Sequence, residues 1–385
     1  MSNNWSSIIN DATSLRHTLH RNPELTWQEE NTAARIRQQL DQLGISWRSC
    51  SKTGTVATLA GHADGEHVAL RCDIDALPID EQVEIPFRSQ HTGCMHACGH
   101  DGHTAVLWAT AVWLKQHEEQ LSGPVSLLFQ PAEEGGHGAR KMIEDGALEG
   151  VDVIYGWHNW PAIPFGKAVC PDGAIMAGNA TFNIELLGRG GHASQPEACA
   201  DPVLAASAIT LNLQQIVSRK LPPQASAVVS VTSIDARSQL TVIPETVTMG
   251  GSIRFSEAFL FSRIETLITQ IAIDTARSYG VTAEVDIQPC YKATINHASP
   301  AQQFRTALAD EFGESWHMSE FPVPIMGSED FSYYLNEVPG AYALIGMAQD
   351  DHFQYSCHSP HYQFNDNLLA PVVRIYARLA KAPLP

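Results

Sequence analysis

Between Gly123-Pro124 and Gln130-Pro131 lies the run Val125-Ser126-Leu127-Leu128-Phe129. A stretch this continuously apolar and this short reads as a strand covered on both faces, the situation of strands inside a parallel sheet flanked by helices. It opens onto Ala132-Glu133-Glu134, two carboxylates at a strand end. In α/β domains that end is where sites gather.

The surrounding sequence carries the same alternation. Residues 8–43 have helical apolar spacing, broken at Asn22-Pro23 and closed by Gly44, which predicts two helices. Residues 55–59 and 68–72 read as strands, the second running into Asp73-Ile74-Asp75. A helix follows over 103–117, another over 138–145, and a strand over 151–155 delivers Gly156-Trp157-His158. Together these predict an α/β domain. From Thr181 the order changes to strand 181–187, helix 202–219, strands 227–234 and 247–255, helix 259–279 and strand 282–288. This βαββαβ series is that of a ferredoxin-like α+β unit. Mixed α/β character returns near Lys292, so the second domain reads as an insertion at 181–291 within a catalytic domain of residues 1–180 and 292–385.

Composition narrows the function. A formal net charge of −18 with no polybasic stretch excludes a nucleic-acid surface, which needs clustered Lys and Arg. The longest apolar runs, 105–114 and 203–213, are too short to span a bilayer, and no secretory pattern opens the chain. The expectation is a cytoplasmic protein whose eight cysteines are mostly small buried hydrophobes.

Cys94 and Cys98 stand apart, in Gly93-Cys94-Met95-His96-Ala97-Cys98-Gly99-His100-Asp101-Gly102-His103. Cys98-Gly99-His100 puts a thiol and an imidazole on a glycine-containing turn that lets both face one ion, although a structural zinc knuckle using Cys94 and Cys98 fits the same segment. Glu133 and Glu134, placed on opposite sides of the local chain, could divide the work of metal ligand and base, or be a solvated pair. His158 and His358 are equally open when each is taken alone. Cys98, His100, Glu134, His158 and His358 together make a mixed S, N and O set large enough for two divalent ions, and Glu133 is a spare carboxylate that a closed structural site does not need.

An ordered series of motifs covers nearly the whole chain: His20-Arg21-Asn22-Pro23-Glu24-Leu25, Asp73-Ile74-Asp75-Ala76-Leu77-Pro78, His96-Ala97-Cys98-Gly99-His100-Asp101, Gln130-Pro131-Ala132-Glu133-Glu134-Gly135-Gly136, Gly190-Gly191-His192-Ala193, Gly327-Ser328-Glu329-Asp330-Phe331 and His358-Ser359-Pro360. In these the chain resembles the aminoacylase/carboxypeptidase metallopeptidases, in the branch of hippurate hydrolases and auxin-conjugate amidohydrolases. The resemblance implies a zinc-exopeptidase-like catalytic domain whose ferredoxin-like insert serves as lid and dimerisation domain. It implies a pair of Mn²⁺ or Zn²⁺ ions, with Co²⁺ or Ni²⁺ as alternatives, on Cys98, His100, Glu134, His158 and His358, Cys98 lying between them. Glu133 would be the general base toward a metal-activated water, and His192 would stabilise the oxyanion, from the same subunit or from the partner of a homodimer. The implied substrate is an N-acyl, chiefly N-acetyl, amino acid.

Arg254, at the end of a strand, could grip a substrate carboxylate or form a surface ion pair. Asp73, Asp75 and Asp101 are expected to orient the ligand histidines or their turn. His17, His20, Glu24, His96 and His103 read as structural partners around the site. Two departures from the family pattern are Glu197, where a histidine commonly follows Gln195-Pro196, and His137, where a small residue is usual. Glu197 could meet an ammonium and favour N-acetylated diamino acids. A metallo-carboxypeptidase or dipeptidase on the same scaffold, or a metal-binding relative without activity, are the other readings.

Overall fold

In the computed structural model, which describes residues 4–385, the chain divides into two compact units. The first comprises the chain up to Ile175 together with Ile295–Pro322 and Asp330–Pro385. The second comprises Met176–Thr294 and Val323–Glu329.

The first unit is built on a seven-stranded mixed sheet. Its early elements are helices α1 (Trp5–Arg21), α2 (Glu30–Leu43) and α3 (His100–Gln116), and strands β1 (Trp47–Cys50), β2 (Gly54–Leu59), β3 (Val68–Asp73), β4 (Val125–Gln130) and β5 (Val153–Pro164). The strand order is β1, β2, β4, β3, β5, then Gly340–Ala348 and Ala168–Val169. β4, β3, β5 and Gly340–Ala348 run parallel, and β3 and β4 are buried along their whole length. That burial is why Leu127-Leu128-Phe129 shows no polar alternation. α3 is buried from His100 to Leu114. From Ala105 to Leu114 it is almost wholly apolar because its neighbours, α1 and Leu369–Leu379 among them, leave that stretch no solvent face.

β5 is longer than the sequence indicates. Its pairing with β3 stops at Leu70 opposite Tyr155, while its parallel ladder with Gly340–Ala348 continues and sets His158 opposite Leu344. His158 therefore sits within the strand, on the stretch that β3 has left uncovered.

The second unit has its own core, including Phe182, Ile184, Leu186, Ile209, Ile264 and Ile268. Its four-stranded antiparallel sheet has the order Ala227–Asp235, Thr246–Phe255, Gly178–Leu187, Thr282–Pro289, with helices Pro202–Leu213 and Ala258–Ser278. This is the ferredoxin-like order. Gly178–Leu187 alternates between buried and exposed positions, as a sheet with one covered face requires.

The division differs from the sequence reading at its edges: the second unit starts at Met176 rather than 181 and runs to Thr294 rather than 291, and residues 323–329 group with it rather than with the catalytic segments on either side. Ala177 donates its amide to both Ile325 O and Gly327 O at 2.9 Å, which fastens the segment there. Among the described residues no helix is long and apolar enough to cross a membrane.

Candidate metal centre

Three chain reversals in the first unit deliver the site. β3 ends at Asp73 and turns through Ile74-Asp75. α3 starts at His100 behind Gly99, whose φ of 95° is left-handed. A side chain at Gly99 would also collide with Asn159 Oδ1 and Tyr362 Oη, so both conformation and space demand glycine. The third reversal follows β4, where Ala132 takes φ 55° immediately before Glu133.

These reversals bring the candidate ligands together. The ligand atoms of Cys98, His100 and His158 lie within 4.8 Å of one another, as do those of Cys98, Glu134 and His358, and those of His100, Glu133 and Glu134. Cys98 is common to the first two sets. His158 Nε2 stands 3.2 Å from Cys98 Sγ, and His358 Nε2 stands 3.1 Å from Glu134 Oε1. His358, itself left-handed at φ 69°, is placed by donating its amide to Ala97 O at 2.8 Å, next to Cys98. The two glutamates do not diverge to opposite sides of the chain: a carboxylate oxygen of each lies within 4.8 Å of the other and of a His100 ring nitrogen, just after the left-handed residue Ala132.

Neighbouring groups fix the ligand rings. His100 Nδ1 donates to Asp75 O at 2.9 Å, and His158 Nδ1 donates to Asn159 O at 2.6 Å, so each presents Nε2 to the centre. Asp75 also receives the amides of Glu133 (3.1 Å) and Glu134 (3.0 Å), one on each carboxylate oxygen. Asp73 takes Arg71 Nη1 at 2.6 Å and His103 Nδ1 at 2.5 Å. His103 Nε2 in turn faces Asn159 Oδ1 at 2.7 Å, and Asn159 Nδ2 donates to Tyr362 Oη at 2.7 Å.

The centre is built for cations. His100 Nε2 is buried with no hydrogen-bond partner, an expensive arrangement for a polar atom that has no ligand to meet. Burial pulls His100 down, but Asp73, Asp75 and Glu134 more than offset it and lift its pKa to about 10. The Cys98 thiol is pushed well up, first by its hydrogen bond with Cys357, then by burial and by the Glu134 and Glu133 carboxylates. His158 is held well below the usual histidine range by burial and by His103, and is therefore a neutral imidazole of the kind that ligates metals. A thiol, three imidazoles and a carboxylate around such a field fit two borderline-soft divalent ions.

Other expected residues fall elsewhere. Cys94 Sγ points to Pro23 O at 3.5 Å and joins none of these sets, so the run 94–100 is not a zinc knuckle. Asp101 reaches no ligand histidine; its Oδ2 accepts Arg16 Nη1 at 3.1 Å and His20 Nδ1 at 2.8 Å, anchoring α1 to the first turn of α3. Glu24 caps α2 through the amides of Asn31 and Thr32, and His17 pairs with Asp366 and stacks on Phe87. His96 is buried with neither ring nitrogen bonded, and burial lowers its pKa to about 4. Asn159, Tyr362 and Cys357 went unread in the sequence, although Asn159 follows His158 directly.

Within the second unit, His192 lies in a two-residue strand, Gly191–His192, paired with Val242–Ile243. Its Nδ1 accepts the Ser194 amide at 3.1 Å, so the neutral ring carries its proton on the exposed Nε2. Glu197 is exposed in the turn Pro196–Ala198. Arg254 Nη1 donates to Ser328 Oγ at 3.1 Å and enters no ion pair among the described residues.

The family model described as peptidase family M20/M25/M40 matches residues 69–382. The IAA-amino acid hydrolase ILR1-like 2 of Arabidopsis thaliana is 40% identical over 372 residues, covering 95% of this chain and 83% of that protein. The N-acetyl-L-cysteine deacetylase of Bacillus subtilis is 37% identical, covering 95% and 86%. A solved Bacillus subtilis structure, described as a dinuclear metal binding peptidase from the M20 family, superposes with a TM-score of 0.86 at 33% identity, covering 97% and 98%. The chain belongs to peptidase family M20/M25/M40.

Proposed function

We propose that the protein hydrolyses the amide bond of N-acyl amino acids, N-acetyl amino acids above all, with two divalent ions held by Cys98, His100, Glu134, His158 and His358 and with Glu133 as general base. Its relatives are amidohydrolases and deacetylases, and it is a hydrolase of linear amide C–N bonds. The observation that carries the reading is the sharing of Cys98 between two ligand sets while a second carboxylate, Glu133, converges beside the ligand Glu134.

Bound at this centre, divalent ions supply Lewis acidity toward the amide carbonyl and make water acidic enough to be a nucleophile near neutral pH. Glu133, 7% exposed, takes the proton of the attacking water and returns it to the departing amine. Asp75 holds the backbone of both glutamates so that the base and the ligand keep their separation. His192 offers its Nε2–H to the oxyanion, Arg254 offers a guanidinium to the α-carboxylate, and Glu197 offers a carboxylate to a side-chain ammonium. A homodimer formed through the inserted unit accords with the exposed Leu204 (55%) and Leu211 (74%) on one of its helices.

Amine release is measured from acetylated cysteine, methionine, ornithine, lysine and diaminobutyrate and from hippurate, with protein reconstituted in Mn²⁺ or Zn²⁺. The expected result is hydrolysis of the acetylated compounds that is lost in Glu133→Gln. Full activity of Glu133→Gln with metal bound overturns the base assignment, and hippurate as the best substrate overturns the acetyl preference.

A further inference from the structure

The loop between α1 and α2 contains a left-handed residue that is not glycine, Trp27, at φ 63°. Ala132, in the loop that carries the glutamate pair, is another, at φ 55°. Left-handed backbone is costly for an L-residue and persists where surrounding contacts impose it. Here one atom serves both: Glu29 Oε1 accepts the amide of Trp27 at 2.9 Å and the amide of Ala132 at 2.9 Å.

The rest of the loop supports the same junction. Glu29 Oε2 receives the Thr53 hydroxyl at 2.8 Å. Thr26 Oγ1 lies 2.9 Å from Asp75 Oδ2 and 3.2 Å from Glu134 O, and Trp27 Nε1 donates to Gly136 O at 3.1 Å. Backbones this close leave no room for a side chain at Gly136, which would strike Ala132, Thr26 and Trp27. Glu29 is fully buried, and both burial and the nearby Asp75 charge raise its pKa. A buried carboxylate away from the metal ligands is costly unless its acceptors are in use; both Glu29 oxygens are, and one of them ties Trp27 directly to Ala132, the residue before the glutamate pair.

We propose that Glu29 is a positioning residue for the metal centre: by fixing the left-handed turn at Ala132 it aims Glu133 and Glu134, with Thr26 as its auxiliary. The inference rests on the roles given above to those two glutamates. It assigns to the segment between α1 and α2 a part in metal affinity and turnover, although Thr26 reaches Glu134 only through its backbone carbonyl and Glu29 reaches the pair only through the Ala132 amide.

The test compares Glu29→Leu, Glu29→Gln and Thr26→Val in the full-length protein. Zn²⁺ affinity is measured by competition with a chromophoric chelator, kcat and KM on N-acetyl-L-methionine, and melting on the metal-free protein. Glu29→Leu leaves two amides and a hydroxyl unsatisfied, so Zn²⁺ binding falls by about 10–100-fold and kcat falls with KM nearly unchanged. Glu29→Gln restores most of both, since its amide oxygen can accept the two backbone N–H groups while its NH₂ faces the Thr53 hydroxyl. Thr26→Val weakens Zn²⁺ about 3–10-fold, a smaller effect on the same axis, and decides the matter if Glu29→Leu does not fold. Wild-type Zn²⁺ affinity in Glu29→Leu, a Gln variant as impaired as Leu, or a Thr26→Val variant that binds Zn²⁺ like wild type beside an unfolded Leu variant overturns the proposal. Retained kcat in Glu133→Gln would instead remove the base assignment, and the Zn²⁺ titrations would still decide the role of Glu29.

Discussion

His158 Nε2 and Cys98 Sγ stand 3.2 Å apart although they are 60 residues distant in sequence. Two atoms of these types at this separation are close enough to meet one ion, and Cys98 also belongs to the candidate set with Glu134 and His358. Cys98→Ala therefore removes a ligand from both halves at once. Metal content after dialysis is expected to fall below that of His158→Ala, with Zn²⁺ binding weakened by at least about 100-fold. Equal metal retention in the two variants would show that Cys98 serves only one ion.

Gly99→Ala tests the turn that launches α3. The added methyl meets Asn159 and Tyr362 in a conformation at φ 95° that L-residues avoid. Chemical denaturation of the metal-free protein is expected to show a loss of about 3 kcal/mol or more. A loss under about 1 kcal/mol would mean that the loop relaxes freely.

The His20 ring links Asp101 and Glu81 in the buried region behind the site. Burial pulls its pKa down, but the two carboxylates prevail and raise it from 6.5 to about 8. The folded state thus binds the proton more tightly than the unfolded chain. The stabilisation is complete below pH 6.5 and is lost as pH rises through 8. It amounts to about 2 kcal/mol. Melting temperature should decline across that window in the wild type and be flatter in His20→Gln; parallel profiles would remove His20 as the cause.

His192 is exposed and its Nδ1 is occupied by Ser194, so its removal leaves the second unit's core untouched. His192→Ala should keep its metal and its melting temperature while kcat drops about 10²–10³-fold, as loss of an oxyanion donor does. A normal kcat would exclude it from the reaction.

The parts legible in the sequence were those whose physics is local. The nearly continuous apolar character of 125–129, interrupted only by Ser126, betrays a strand buried on both sides, and the βαββαβ order betrays the inserted unit. The thiol, three imidazoles and glutamate that the sequence groups by their chemistry do lie near one another, in three overlapping candidate sets. What escaped depends on the third dimension. Residues 323–329 join the second unit through backbone hydrogen bonds to Ala177, which carry no residue preference. The direction of Glu133 and Glu134 depends on the φ of Ala132, a residue type that does not advertise left-handed backbone. Asp101 turned out to bind Arg16 and His20 because α1 packs against α3, a pairing between segments that periodicity does not join.

The position of Gly340–Ala348 beside β5 has a consequence for biosynthesis. This strand completes the parallel core yet is translated after the whole inserted unit, and His358 follows later still. A ribosome releases the second unit's sheet and helices as a contiguous stretch able to fold at once, while β5 waits for a partner nearly two hundred residues away. The unpaired side of β5 is a sticky edge during that delay. His358 is the last of the candidate ligands to be translated, so a chain truncated before residue 340 should emerge with a folded insert attached to an aggregating remainder that binds no divalent metal.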